Sequence, residues 1–429
     1  MQTTTDTVRQ LLPAPQGIAT ALEAALDRGA VRAEYQPIVD VDSGEVVAYE
    51  SLARGPRGSD VERPDVLFAA ARVAGRLDEL DWACRAAAVR GALGAGLEPP
   101  RTLFINVEPD ALGTSCPPEF EDAWRRAGEE LRVVVEITER ALTAKPADLL
   151  AAMAEVRARG WGIALDDVGA DTRSLALMPL LRPDVIKLDL RLVQEQPGSE
   201  IAGIVNAVNA EAERTGATIL AEGIETEAHL ATARAMGARL AQGWYFGRPG
   251  KLPDGTPADP AAPIELARPL PAPTGATPYE IVSRVRPTRP ADKRLLLAMS
   301  RHLEQQARQL GSGAVVVGAF QDASRFTRET RRLYTRLAAD SAFVAALGVG
   351  MDPEPAPAVR GAELPEGDVL TGEWSIAVLG PHFAAALVAL DLGDDGPDHE
   401  RRFDYALTYD RELVIDAALS LMRRVLPLG

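Results

Sequence analysis

The chain has 429 residues, of which 46% are hydrophobic and 25% charged, so it is long enough for two domains or for one large barrel with an appendage. Its formal net charge of -16 argues against non-specific binding to nucleic acid, which needs Lys and Arg to neutralise phosphates. Only two cysteines occur, Cys84 and Cys116, and they form no CxxC pair, which argues against a disulfide framework or a thiolate zinc site.

The first residues, MQTTTDTVRQLLPAPQ, lack the basic segment and apolar core of a signal peptide. The longest nearly uncharged stretch, WSIAVLGPHFAAALVAL, is interrupted by Gly380, Pro381 and His382 and is too short to span a bilayer. We therefore expect a cytoplasmic protein with neither membrane nor DNA among its partners.

Short apolar runs alternate with Ala-rich helical patterns up to about residue 250. The runs are AEYQPIV, VVAYESL, TLFINV, RVVVEIT, GIALDDV, DVIKLDL, TILAEGI and QGWYFG. Strands that alternate with helices predict a parallel sheet, and about eight of them in 250 residues suit a (β/α)8 barrel. The expected class is therefore α/β, with a TIM-type barrel over residues 15–252.

A proline-rich stretch over residues 253–279 follows the barrel pattern and carries no hydrophobic periodicity. Such a stretch is typical of a semi-rigid linker or a surface wrap, and we expect it to bury the core of neither domain. Beyond it, a helical pattern, a strand, a strand pair around LGPHF and a terminal helix predict a smaller α/β domain over residues 280–429.

Polar residues recur at the ends of the predicted barrel strands, where catalytic groups of such barrels gather. They are Glu50, Asn106, Glu136, Asp166 with Asp167, Lys187, Glu222 and Gln242. Their ligand atoms are all oxygen, with no thiolate and no strand-end His, which favours the hard cations Mg²⁺ or Mn²⁺, with Ca²⁺ as an alternative occupant. A bridging acid flanked by others is the arrangement that holds two such ions.

Each of these residues also has an ordinary structural interpretation when taken alone. A strand-end acid is more often a helix N-cap or half of a surface ion pair, and Lys187 could pair with Asp189. Lys187 is one of only four lysines in a chain that otherwise uses Arg. The recurrence of polar groups at successive strand ends favours one shared site over independent accidents.

The motifs resemble those of the EAL-domain phosphodiesterases of cyclic di-GMP, in the order that the family has them. The resemblance covers about residues 15–252. The matching strings are YQPIVD, YESLARG, FINVEP, VEITER, LDDVG, VIKLDL, LAEGIET and AQGWYFGRP. As a set they are highly specific for this family.

The resemblance implies a modified TIM barrel with an antiparallel first strand. It implies that the protein hydrolyses cyclic di-GMP to linear pGpG. It also implies that two divalent cations, Mg²⁺ or Mn²⁺, are required and that Ca²⁺ inhibits. It implies metal ligation by Glu50, Asn106, Glu136, Asp166, Asp167 and Glu222. It implies catalytic roles for Lys187, Glu222, Gln242 and Glu50. It implies substrate contacts by Gln36, Leu52, Arg54, Asn106 and Glu225, and bracing of the loop after Asp167 by Glu139.

This chain departs from the family pattern in the loop after Asp167. The segment GADTRSL replaces the usual Gly-Thr-Gly-Tyr-Ser-Ser, Val168 replaces a Phe, and Ser51 replaces an Ala. In the family this loop connects the second metal to a dimer interface, so the oligomeric state stays open. The departure motivates a second hypothesis, a receptor that binds cyclic di-GMP without cleaving it and acts through a protein partner.

Residues from about 280 to 425 resemble the DICT domain, a sensory module found beside cyclic di-GMP enzymes. The strings that carry the resemblance are FQ…RF…T…RLY and GEW…LGPHF. The ordinary interpretation of the same residues is an aromatic core beneath a solvated basic helix. The resemblance predicts a domain that tunes the barrel through an unknown ligand or partner.

Overall fold

The computed structural model describes residues 15–27, 29–111, 113–171, 173–253, 263–266, 275–394 and 397–425. Its first half contains a closed barrel of eight strands. These are β1 (Arg32–Asp40), β2 (Val46–Arg54), β3 (Thr102–Asn106), β4 (Arg132–Thr138), β5 (Gly162–Val168), β6 (Val185–Leu188), β7 (Thr218–Ala221) and β8 (Leu240–Gln242). The observed eighth strand shares only Gln242 with the predicted run QGWYFG, because the chain turns after Gln242.

The first strand runs against the others. β1 pairs antiparallel with both β2 and β8, whereas β2 to β8 pair in parallel. This confirms the expected modified barrel. Because β2 to β8 are parallel, their carboxyl ends meet at one rim, as the site prediction requires.

The helices of this half surround the barrel. They are α1 (Pro15–Asp27), α2 (Pro64–Ala74), α3 (Leu77–Gly94), α4 (Glu121–Glu130), α5 (Glu139–Ala144), α6 (Pro146–Ala158), α7 (Ser174–Leu181), α8 (Leu190–Gln194), α9 (Ser199–Thr215) and α10 (Glu227–Ala235). Side chains alternate along each strand between the lumen and this outer layer. On β4, Val134 packs inside the barrel, and Val133 and Val135 pack against the helices.

The proline-rich segment contributes to the barrel core, so the expectation that it buries neither core is wrong. Ile264 is only 5% exposed and packs in the lumen with Phe104, Val134 and Leu220. The Arg132 guanidinium donates a 2.6 Å hydrogen bond to the carbonyl oxygen of Ile264. An isolated apolar residue among prolines shows no periodicity, so the sequence pattern could not indicate that it closes the barrel floor.

The second half forms a seven-stranded sheet, with the strands in the order β12-β11-β10-β13-β14-β15-β9. The strands are β9 (Arg289–Asp292), β10 (Val315–Asp322), β11 (Phe343–Val349), β12 (Arg360–Glu363), β13 (Glu373–Leu379), β14 (Ala384–Asp391) and β15 (Arg402–Thr408). Its helices are α11 (Pro278–Ser283), α12 (Lys293–Leu310), α13 (Arg328–Asp340) and α14 (Arg411–Met422). The predicted smaller α/β domain is confirmed.

The two faces of this sheet have different neighbours. Along β10, Val315 and Val317 belong to the core that α14 shares with the barrel helices, whereas Val316 belongs to the core beneath α12 and α13. The second domain is therefore packed on the barrel through one face, with its other face covered by its own helices. None of the described helices combines the length and apolar composition that a membrane span requires.

Candidate active site

The Lys187 ammonium lies at the centre of the predicted strand-end residues. Its Nζ is 2.9 Å from Asp166 Oδ1, 2.9 Å from Glu222 Oε1 and 3.0 Å from Glu136 Oε1. Glu50 Oε1 is 3.7 Å away. Lys187 is 1% exposed, so the strands β2, β4, β5, β6 and the residue after β7 bring one cation and four acids together away from bulk water.

A local distortion of β5 explains how two consecutive acids reach one site. Neighbouring residues of a regular strand point to opposite faces. The register between β5 and β6 shifts between Leu165 and Val168, and Asp167 takes a φ of 56°. This left-handed conformation is tolerated by Asp better than by most residues. As a result, carboxylate oxygens of Asp166, Asp167 and Glu222 all lie within 4.8 Å of one another.

Two amide side chains, the buried Gln242 and the exposed Asn106, hold the Glu50 carboxylate. The Gln242 Nε2 group donates hydrogen bonds to Glu50 Oε2 and, at 3.1 Å, to Gln36 Oε1. The Asn106 Nδ2 group donates a 3.0 Å hydrogen bond to Glu50 Oε1. Since β1, β2, β3 and β8 are neighbours in the closed barrel, these bonds hold the Glu50 carboxylate on both sides.

The pKa values of Glu136, Glu222 and Lys187 show that one ammonium does not balance the charge of the buried acids. Burial, with repulsion from Glu50, raises the pKa of Glu136 well above its ordinary value. Burial also raises the pKa of Glu222 to about 8, although Lys187 opposes the rise. For Lys187 itself burial lowers the pKa, but the surrounding carboxylates outweigh burial and raise it well above its usual range.

The donor set fits divalent cations. Five carboxylates around one ammonium leave four negative charges when all are ionised, and two divalent ions balance that charge. Glu136 Oε2 is buried without a hydrogen bond or an ion pair among the described residues, and Glu136 Oε1 and Asp166 Oδ1 pair only with the Lys187 ammonium. Buried acceptors of this kind normally have a partner, and hard oxygen ligands are what Mg²⁺ and Mn²⁺ prefer.

A cavity of about 290 Å³ opens beside the acids, and Leu52 and Arg54 line it together with Glu50, Asn106 and Asp166. Of the predicted substrate residues, these two therefore face the same space as the predicted ligands. The Arg54 Nε group donates a 2.9 Å hydrogen bond to the Glu34 carboxylate. The Arg54 guanidinium is thereby held at the cavity wall.

Two predicted residues are not among the groups that the structure brings together. Glu225 is exposed beyond β7, where its backbone N–H donates a 3.3 Å hydrogen bond to Nδ1 of His229. Glu139 begins α5, and its side chain lies outside the described part of the structure. The roles assigned to these two residues stay predictions.

Asp81, a positioning residue beside the site, was not predicted from the sequence. Asp81 is 2% exposed, pairs with Arg85 one turn along α3 and lines the cavity. Its Oδ1 accepts a 3.0 Å hydrogen bond from the backbone N–H of Glu108, two residues after Asn106. An Asp and an Arg four residues apart on an apolar helix face were the available signal.

Family models match both halves of the chain. Residues 19–249, more than half of its length, match the model of the EAL domain. The chain belongs to the EAL family. Residues 282–392 match the model described as a sensory domain in diguanylate cyclases and two-component systems, abbreviated DICT. Both resemblances that the sequence motifs indicated are confirmed.

Individual relatives of this EAL chain match its first half. It is 31% identical over 252 residues to the cyclic di-GMP phosphodiesterase RocR of Pseudomonas aeruginosa, covering 57% of this chain and 64% of that protein. It is 31% identical over 235 residues to NbdA of the same organism, covering 53% and 30%. The match thus spans less than two thirds of either relative. A solved manganese and cyclic di-GMP complex of Klebsiella pneumoniae BlrP1 covers 52% of this chain and 56% of that one, with 30% identity and a TM-score of 0.46.

Proposed function

We propose that this EAL protein hydrolyses one phosphodiester bond of cyclic di-GMP to give linear pGpG. The observation that carries the proposal is the cluster of five carboxylates at the strand ends, four of which surround Lys187, and their oxygens fit two divalent cations. The family membership and the named activities of RocR and NbdA support the choice of substrate. An adjoining cavity lined by Leu52 and Arg54 opens beside these acids.

Metal ligation is assigned according to which oxygens lie together. Asp166, Asp167 and Glu222 form the outer group. The buried Glu50 and Glu136 form the inner group, with the exposed Asn106 hydrogen-bonded to Glu50 at its edge, and Lys187 contacts Asp166 as well as the inner acids. Two bound divalent cations, Mg²⁺ or Mn²⁺, would supply an activated water and would screen the charge of the phosphate. Calcium prefers longer bonds and irregular coordination, so we propose that it inhibits.

The protein side chains position the reacting groups. We assign to the Lys187 ammonium, which keeps its proton among the acids, the role of donating a hydrogen bond to the attacking water or to a phosphate oxygen. Gln242 orients the Glu50 carboxylate and lies next to Gln36 at the inner wall. Leu52 and Arg54 would contact guanine and phosphate, and displacement of Glu34 by a phosphate oxygen would free the Arg54 guanidinium.

Product analysis tests the proposed reaction. Purified full-length protein is incubated with cyclic di-GMP and Mn²⁺ or Mg²⁺, and the nucleotides are separated by chromatography. We expect pGpG, and we expect Glu50→Gln and Asp166→Asn to lower turnover by at least about 100-fold. Glu200→Gln, which changes an exposed acid in the first turn of α9, is the matched control. Binding of cyclic di-GMP without formation of pGpG would contradict the proposed hydrolysis and favour the receptor hypothesis.

We further propose that the C-terminal domain tunes the barrel, with the functional units at residues 15–252 and 280–429 and the segment 253–279 between them. One contact supports this directly. The Arg182 guanidinium lies 3.0 Å from both Glu412 and Asp416 of α14. Arg182 ends α7 in a left-handed conformation with a φ of 45°. The helix that follows the Asp166–Asp167 loop is therefore tied to the second domain.

A second contact joins the C-terminal domain to α5, the helix that follows the neighbouring strand β4. Arg360 on β12 donates hydrogen bonds of 2.9 Å to the carbonyl oxygens of Thr143 and Ala144 at the end of α5. A cation at this end of a helix interacts favourably with the backbone dipole. Because α5 follows β4, the C-terminal domain contacts the helices immediately after the strands that carry Glu136 and Asp166.

Turnover of interface variants tests the tuning. Arg182→Ala removes both ion pairs to α14, and we expect a changed kcat at an unchanged metal requirement. Arg286→Ala is the matched control, because Arg286 pairs with Asp410 at the start of α14 inside the C-terminal domain. Equal kcat and KM for Arg182→Ala and the wild type would leave this contact without a regulatory role.

A further inference from the structure

A cavity of about 450 Å³ lies in the C-terminal domain on the side of the sheet opposite the barrel. α12 and α13 form one side of it, and the ends of β10, β13 and β15 form the other. Its volume falls within the range of ligand pockets, roughly 300–1,000 Å³. The EAL active site is in the other half of the chain, so this cavity belongs to a different site.

Two buried polar residues that line the cavity, Glu304 and Ser300, have no side-chain hydrogen bond to any other residue that the structure describes. Glu304 is 5% exposed and Ser300 is 4% exposed, and both line the cavity from one face of α12. No hydrogen bond or ion pair joins the Glu304 carboxyl to any described residue; Arg301, one turn earlier, pairs instead with Glu329. A buried carboxyl normally has a hydrogen-bond or ion-pair partner, and Glu304 faces the open cavity, where a partner can bind. Such a group requires an explanation, and a ligand in the cavity provides one.

Aromatic side chains form the walls opposite Glu304. Phe320 from β10, Trp374 from β13 and Phe403 from β15 line the cavity. They are held edge to face, with the Trp374 and Phe403 centroids 5.8 Å apart and Phe320 packed 5.1 Å from Phe326. Rigid rings of this kind stack on planar aromatic molecules and attract positive charge.

The charges at the rim argue against an anionic ligand. Lys293 pairs with Asp398, Arg325 pairs with Asp322 as well as Asp398, and Arg301 pairs with Glu329, so three acids face three of the four described cations that line the cavity. The fourth, Arg336, is exposed at the mouth. The uncompensated group inside is an acid. A ligand that complements it must donate hydrogen bonds or carry positive charge.

We propose that this cavity binds a planar nitrogen heterocycle whose N–H groups donate to Glu304 and whose ring stacks on Phe320 and Trp374. Ser300, one helical turn before Glu304, offers a second hydrogen-bonding group on the same face of α12. A purely apolar ligand would leave the carboxyl without a partner. The ring recognises the aromatic walls, and the N–H edge provides the specificity.

The probe for this proposal is 2-aminobenzimidazole, a planar bicycle with adjacent N–H donors. Its binding to the full chain is measured by titration calorimetry without divalent metal or cyclic di-GMP, so the result does not depend on the proposed reaction. Quinoline, a planar bicycle without an N–H donor, is the matched compound. We expect Glu304→Gln to weaken 2-aminobenzimidazole binding by about tenfold or more, because a hydrogen bond to a charged group is lost.

The matched control protein is Glu366→Gln, which changes an exposed acid between β12 and β13 that does not line the cavity. We expect it to bind 2-aminobenzimidazole like the wild type, and we expect quinoline to bind more weakly than 2-aminobenzimidazole. The proposal is overturned if 2-aminobenzimidazole does not bind at millimolar concentration, if quinoline binds equally well, or if Glu304→Gln retains the affinity. Unchanged thermal stability of Glu304→Gln at acidic pH shows that this variant is folded.

Discussion

Replacing Glu304 with Gln should stabilise the ligand-free protein increasingly above about pH 4.5, with the full effect above about pH 7. Burial in the helix-covered cavity raises the pKa of the Glu304 carboxyl from 4.5 to about 7, while Arg301 opposes the rise. The folded protein therefore keeps this proton at pH values where the unfolded chain has released it. Glutamine has nearly the same shape and never ionises, so it removes the electrostatic cost and leaves the packing intact.

The magnitude follows from the linkage between proton binding and folding. Below pH 4.5 both states of the wild type carry the proton, and the carboxyl adds no electrostatic cost. Between pH 4.5 and about 7 the folded state binds more protons than the unfolded state, so stability falls as pH rises. At about 1.4 kcal/mol per pKa unit the loss reaches roughly 3 kcal/mol and then stays constant. Glu304→Gln does not lose this stability, because glutamine does not ionise.

Calorimetric thermal scans at about pH 4.5 and about pH 8 measure the difference. A gain of about 3 kcal/mol corresponds to a rise of about 6–12 °C in the Tm of a unit of 150–250 residues. We expect that rise for Glu304→Gln at the higher pH and almost none at the lower. Glu366→Gln, whose side chain is exposed outside the cavity, should show neither. Equal Tm values for Glu304→Gln and wild type at both pH values would refute the reasoning.

Three further predictions concern the barrel. Ile264→Ala leaves a cavity at the barrel floor and should lower the free energy of unfolding by about 2–5 kcal/mol. A chain ending at 252 should likewise be less stable than one ending at 266, and equal stabilities would contradict the role of Ile264. Lys187→Met leaves the buried acids without their ammonium and should cost about 3–5 kcal/mol without metal. Added Mn²⁺ should raise the Tm of this variant more than that of the wild type, and an equal rise would contradict the charge balance. Ca²⁺ in place of Mn²⁺ should abolish pGpG formation at unchanged substrate binding, as product chromatography and calorimetry would show.

The barrel and the clustering of its strand-end residues were predictable because both depend on local patterns. Strands such as VIKLDL end in a polar residue at intervals of one βα unit, and parallel strands bring their carboxyl ends to one rim. Lys187, Glu136 and Glu222 could therefore be placed together before any coordinates. In the second domain, the strand pair around LGPHF could be predicted in the same way, as β13 and β14.

What the sequence could not indicate depends on single backbone angles and on contacts between distant segments. The φ of 56° at Asp167 allows consecutive acids to face one site, and no periodicity encodes it. Ile264 closes a barrel whose last strand ends at residue 242. The isolation of Glu304 arises because Arg301 pairs with Glu329 on another helix. Each of these depends on tertiary structure, which overrides local propensity.

The C-terminal sheet physically connects the two proposed sites. Along β10, Phe320 points to the cavity, and Ala319 and Val317 point to the core that α14 shares with the barrel helices. α14 in turn holds Arg182 at the end of the helix after the Asp166–Asp167 loop. A cavity ligand that changes the affinity for cyclic di-GMP must have its own affinity changed by the same factor, since coupling between sites is reciprocal. Titrating 2-aminobenzimidazole with and without cyclic di-GMP and Ca²⁺ therefore measures the coupling in a complex that does not turn over. Identical affinities in the two titrations would show that binding at the two sites is independent, whatever Arg182 contributes to turnover.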